Sequence, residues 1–162
     1  MQLYVREATG DYRVARPREV LDSARDCVGQ VFGKGRHIKK PAVAAGLFVG
    51  KLAGLESERF AVLFLNQQHR VLAYEELFFG TIDASAVYPR EVLKRALHHN
   101  AAAVILGHNH PSGNTAASEG DIRITRTLAS ALALMDITVL DHIIIGDGHT
   151  SMKEGSMWIP DS

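Results

Sequence analysis

The sequence predicts an α/β domain, a mixed sheet flanked by helices, and two features carry that prediction. Residues 60–65 and 101–106 are nearly continuous apolar runs, which suits strands covered on both faces. Around them lie segments whose apolar residues recur at helical spacing, the longest being 118–135. Strands and helices alternating along 162 residues fold most economically as helices layered on a sheet. That length also suffices for a substantial core.

Taken in order, residues 2–6 alternate weakly as a short strand and are followed by a turn at Thr9-Gly10-Asp11. Residues 17–31 form a helix, with Pro17 suited to its first turn and Val20, Leu21, Ala24 and Val28 on one side. A basic, glycine-containing loop runs from Lys34 through Arg36 to Lys39 and Lys40. Residues 41–55 form a second helix with Val43, Leu47 and Leu52 as core contacts. The strand at 60–65 returns through a polar turn as 70–79, making a hairpin. Residues 89–100 form a helix that turns Val92, Leu93, Ala96 and Leu97 inward, and 101–106 is the next strand. In the helix at 118–135, Ile124, Leu128, Ala131 and Met135 stand at core spacing. A strand at 137–145 then pairs with 149–152 across Gly146-Asp147-Gly148. Residues 1–40 read as an N-terminal strand and helix extension of a main body at 41–162, within one structural domain.

Composition excludes several classes. Eighteen basic residues balance eighteen acidic ones, so the chain lacks the basic excess by which nucleic-acid binders neutralise phosphate. The basic loop at 34–40 reads as a solvated loop in preference to a phosphate contact. Cys27 is the lone cysteine and has no intramolecular disulfide partner. With no secretory leader in view and no apolar run of membrane-spanning length, the expected setting is soluble and cytoplasmic. One cysteine also rules out zinc deaminase chemistry, which needs a Cys-x-x-Cys ligand pair.

The chemistry concentrates in Gly107-His108-Asn109-His110-Pro111-Ser112-Gly113 and, just beyond, Ser118-Glu119-Gly120-Asp121. Along an extended strand, positions i and i+2 point the same way, so His108 and His110 can face one point. Asp121 falls in the first turn of the following helix. Two imidazoles and a carboxylate make a zinc ligand set with a fourth position open to water. Ser118-x-x-Asp121 has a competing reading as a helix capping box, and 111–114 is ordinary turn chemistry. A cap, however, does not require His-x-His upstream.

The spacing His108-x-His110, seven residues, Ser118, two residues, Asp121 resembles the JAMM (MPN-plus, JAB) metalloprotease motif. The wording His-Asn-His-Pro-Ser-Gly is similar to the RadC version of it. Gly80-Thr81-Ile82, Tyr88-Pro89-Arg90-Glu91, 101–106 and 140–146 also read as RadC-like, so the resemblance covers roughly residue 41 to the C-terminal region. It implies the JAMM/MPN, deaminase-like α/β architecture, in a short form without a helix-hairpin-helix module. It also implies a zinc-dependent hydrolase of peptide or isopeptide bonds, ligated by His108, His110 and Asp121.

By the same resemblance Glu58 is the general acid/base and Ser118 stabilises the oxyanion. Glu75 and Glu76, on the partner strand of the hairpin, are the rival bases. Asn109 lies between the ligands, points the other way and reads as structural. Asp141 or His142 could orient a ligand through a hydrogen bond, although a buried structural pair is the plainer reading. The implied partner is a protein or peptide substrate. A repair-associated protein or metal-dependent nuclease, and a non-catalytic interaction module, are the alternatives.

Overall fold

The computed structural model describes residues 2–31, 33–81, 86–155 and 158; Ile82 and the last residues of the expected main body lie outside them. The chain opens on a hairpin of β1 (Tyr4–Arg6) and β2 (Tyr12–Val14), paired Tyr4 to Val14. At three residues, β2 is too short to leave a periodic signal, and the sequence reading missed it. Helix α1 (Pro17–Val31) has the expected bounds but fully buries none of its residues. Leu21 and Ala24, expected on one side with Val20 and Val28, are exposed. Val28 does pack inward, onto α2 (Pro41–Leu52). It sits where Gly50 has no side chain, since a Cβ there would lie 2.4 Å from a Val28 methyl. Helix α2 ends short of the expected residue 55, because Ala53 is already extended and Gly54 takes φ +70°.

Next come β3 (Arg59–Leu65), β4 (Val71–Phe79), α3 (Pro89–His98), β5 (Ala103–Asn109), α4 (Glu119–Ala133), β6 (Thr138–Ile145) and β7 (His149–Ser151). The last five strands form a mixed sheet in the order β4-β3-β5-β6-β7. Only β5 and β6 pair in parallel, joined by the α4 crossover. The basic loop before α2 is stitched to the start of β4: the Gly35 amide donates to the Val71 carbonyl and the Ile38 amide to the His69 carbonyl.

The sheet separates two apolar cores. Ala61, Leu63, Leu65 and Ile105 face Leu47, Phe48 and Leu52 of α2. Phe60, Val62, Phe64 and Leu106 face Val92 and Ala96 of α3 and Ile124, Leu128 and Leu132 of α4. Three layers result, the fold class expected from the alternation of elements. Two expected core residues are corrected: Leu97 is 52% exposed and Met135 51% exposed. Helix α4 ends before Met135, and Leu132 takes the inward place instead.

The strand expected at 101–106 runs instead from Ala103 to Asn109, so His108 lies within the sheet and not past its end. Its α2-facing side there is Gly107, and a Cβ at that position would fall 2.3 Å from the Phe48 ring. Glycine therefore lets α2 approach the strand closely, directly beside the first histidine.

Candidate metal centre

The end of β5 brings the two histidines together as the i, i+2 geometry requires. His108 is fully buried and His110 partly so, and their Nε2 atoms stand 2.8 Å apart. The Asp121 carboxylate closes the group. Its Oδ1 lies 3.0 Å from His108 Nε2, and its Oδ2 lies 3.6 Å from His110 Nε2. One ligand atom from each of the three residues falls within 4.8 Å of the others, so the set can hold one metal ion. The donor set suits zinc: two imidazole nitrogens and one carboxylate oxygen, gathered at the mouth of a buried sheet.

The capping box expected as a rival to the metal site exists alongside it. The Asp121 amide donates to Ser118 Oγ (3.1 Å), and Asp121 Oδ2 accepts both the Ser118 amide and its hydroxyl, each at 2.7 Å. One carboxylate thus divides its work, Oδ2 serving the cap while Oδ1 faces His108. Burial alone would raise the Asp121 carboxyl. Its contacts with His108 and its two hydrogen bonds from Ser118 outweigh that and hold it well below the usual carboxylate range.

Each histidine is fixed from behind. His110 Nδ1 meets the Asn114 carbonyl at 2.8 Å, and His108 Nδ1 meets His142 Nε2 at 2.8 Å. His142 is completely buried, its ring edge-on to Phe60, and its Nδ1 lies 2.6 Å from Thr125 Oγ1. Burial first, then the neighbouring His108, hold His142 well below the ordinary histidine range, so it stays neutral. Asp141 behaves differently. It accepts from Ser151 Oγ and from the amides of His142 and Lys153, on the far side of the sheet from the cluster. The expected pair therefore splits: His142 touches His108, while Asp141 braces the turn after β7.

Glu58 stands just before β3, half-buried and outside the ligand group. Because Phe60 pairs with His108, continuing the antiparallel count sets Glu58 across from His110. Asn109 holds it there. Its Oδ1 accepts from the Arg59 amide (2.8 Å) and its Nδ2 donates to the Ser57 carbonyl (3.0 Å), one bond on either side of Glu58. Asn109 does point away from the histidines, as expected, but what it grips is the loop carrying the candidate base. Sequence spacing could not show this, since the partners are fifty residues away.

The rival bases are committed elsewhere. Glu76 pairs with Arg59 at 2.7 Å. Glu75 is bound by Arg95 and His99, whose nitrogens approach to 2.5 and 2.6 Å. Arg95 first, helped by His99, brings the Glu75 carboxyl down to about 2. A depressed folded-state pKa gives stability that is complete above the unfolded value and is lost as pH falls. Glu75→Gln should therefore lower stability by about 1 kcal/mol at neutral pH, the upper end for a pair near the surface. The gap in melting temperature between variant and wild type should close between about pH 4.5 and 2, as read by thermal melts across that range.

Among the described residues, no helix is long and apolar enough to cross a membrane. The family described as "RadC-like JAB domain" matches residues 38–157. A UPF0758 protein of Alcanivorax borkumensis is 52% identical over 128 residues, covering 79% of this chain and 57% of that protein. The chain thus spans little more than half of that relative. A UPF0758 protein of Vibrio cholerae is 49% identical over 140 residues, 86% of this chain and 89% of that protein. The family match covers most of the chain and contains the whole histidine–aspartate cluster, and on that ground the chain belongs to the RadC family of JAB-domain proteins.

Proposed function

We propose that this protein is a zinc-dependent hydrolase of peptide or isopeptide bonds. The observation that carries the reading is the convergence of His108 Nε2, His110 Nε2 and the Asp121 carboxylate; Glu58 stands outside that group, on backbone that Asn109 binds on either side. Three protein ligands leave a coordination position for water or substrate, the arrangement of catalytic zinc sites. Zinc, when bound, supplies Lewis-acid polarisation of a carbonyl and acidifies water.

The chain's own residues supply the rest. Glu58 takes the proton from the attacking water and returns it to the leaving nitrogen, a role that needs a carboxylate near the metal but not on it. Ser118 is exposed at the rim, where its hydroxyl can turn toward the carbonyl oxygen and stabilise the developing charge. A turn of the O–H bond alone leaves the cap intact, because Oγ still accepts from the Asp121 amide and the Ser118 amide still donates to Asp121 Oδ2. Asp121 stays ionised throughout, as a ligand must. The balanced charge of the chain favours a protein substrate over a nucleic acid.

The test is hydrolysis by zinc-loaded protein of a quenched-fluorescence peptide pool and a lysine ε-linked isopeptide probe. His110→Ala serves as control, and bis(p-nitrophenyl) phosphate is run in parallel. The reading expects cleavage of an amide probe by wild type and none by His110→Ala. Cleavage of the phosphodiester alone would overturn it in favour of a nuclease.

A further inference from the structure

The β6 strand contains a bulge whose effect reaches the candidate zinc site. Val104 pairs with Val139, but Ile105 pairs with Asp141, so Leu140 is skipped. A bulge inverts the alternation of faces beyond it. His142 therefore turns to the α4 side of the sheet, under His108, and Asp141 to the other. From there His142 bridges His108 to Thr125 on α4.

We propose that Thr125 and His142 act as positioning residues that fix His108 as its Nδ1–H tautomer, so that Nε2 is the atom offered to the metal. The Thr125 hydroxyl has one hydrogen to give. Its Oγ1 lies 2.5 Å from the Asp121 carbonyl oxygen. Two oxygens that close need a proton between them, so the hydroxyl donates to Asp121, its i−4 residue in the helix. The Met152 sulfur, at 3.8 Å, is a far weaker acceptor, and donation there would have the same consequence. Having spent its hydrogen, Oγ1 can only accept across the 2.6 Å contact, so His142 carries its proton on Nδ1. Fully buried and holding its one proton on Nδ1, His142 then has a bare Nε2, which can only accept from His108 Nδ1–H across 2.8 Å. His108 is left with Nε2 for the cluster.

His110 reaches the same tautomer by a shorter route, through the Asn114 carbonyl. Metal-bound histidines commonly donate their second nitrogen to a carboxylate or carbonyl. Here the acceptor behind His108 is another imidazole, and Asp121 is the one carboxylate in the cluster. The relay also ties the metal site to α4 twice, through the Asp121 carboxylate and through the Asp121 carbonyl.

This inference rests on the zinc reading of the cluster, and the test separates the two. Zinc affinity is measured by competition with a chromophoric chelator for wild type, His142→Leu, His142→Gln, Thr125→Val and Thr125→Ser. Imidazole protonation is read from long-range ¹H–¹⁵N spectra of the zinc-loaded wild type. Removing an outer partner of a metal ligand typically costs 10–100-fold in affinity, and His142→Leu should fall by roughly that factor. Thr125→Val, close to isosteric, should fall by less. His142→Gln, whose amide oxygen can accept from His108, and Thr125→Ser, which keeps the hydroxyl, should stay near wild type. The spectra should place protons on Nδ1 of both His108 and His142. A His142 protonated on Nε2, or unchanged affinity in both His142→Leu and Thr125→Val, overturns the relay while leaving zinc binding standing. Wild type that binds no zinc overturns the relay together with the reading beneath it. Should His142→Leu fail to fold, the Thr125 pair and the spectra still decide.

Discussion

Replacing Asp121 by alanine is expected to remove two things at once, the zinc and the anchor of α4. The zinc loss follows from geometry: Asp121 is the single carboxylate in a cluster whose other members are imidazoles. Affinity should drop by more than the roughly 100-fold limit seen when only an outer partner is lost. The structural loss follows from the cap. Asp121 Oδ2 holds the Ser118 amide and hydroxyl, and such a capping interaction is worth about 1 kcal/mol. In a chain of this size that corresponds to about 2–4 °C in melting temperature, measured without metal. Added zinc should stabilise wild type by about 2.7 kcal/mol at 100 times its dissociation constant and leave the variant unmoved. Asp121→Asn divides the effects. Its amide oxygen can still accept from Ser118, so metal-free stability stays close to wild type, while the lost charge abolishes tight zinc binding. Thermal melts with and without zinc read both.

Glu58→Gln should leave zinc binding unchanged and lower amide hydrolysis by about 100- to 10,000-fold, the usual worth of a positioned acid/base. The separation is expected because Glu58 stands outside the ligand group. Asn109→Ala should move activity the same way, since it frees the backbone on both sides of Glu58. Combined with Glu58→Gln it should add nothing, because both changes disable one function. Additive losses in the double variant would mean that Asn109 serves the fold or the metal and not the base. Turnover of whichever amide probe wild type cleaves, alongside chelator competition, makes the comparison.

The His108, His110 and Asp121 cluster was legible in the sequence because local geometry brings the three residues together. His108 and His110 are two apart on a strand, and Asp121 opens the next helix. Secondary structure alone gathers these three. The supporting residues were not legible in the same way. Asn109 reaches Ser57 and Arg59, fifty residues earlier, and His142 meets His108 only because a bulge at Leu140 reverses its face. Strict alternation of a strand would have turned His142 away. Thr125 gave no signal at all, since one threonine within an amphipathic helix is unremarkable until its neighbours are known. The capping-box reading of Ser118 and Asp121 was correct but incomplete, because a carboxylate has two oxygens and this one uses them separately.

The central claim is that the cluster holds one zinc ion. Elemental analysis of metal-free protein incubated with zinc and passed through a desalting column tests it most directly, with wild type beside His108→Ala. The account predicts about one zinc per chain in wild type, as a three-ligand site with an open position retains, and almost none in His108→Ala. Wild type that retains no zinc, or a variant that retains as much, would contradict it.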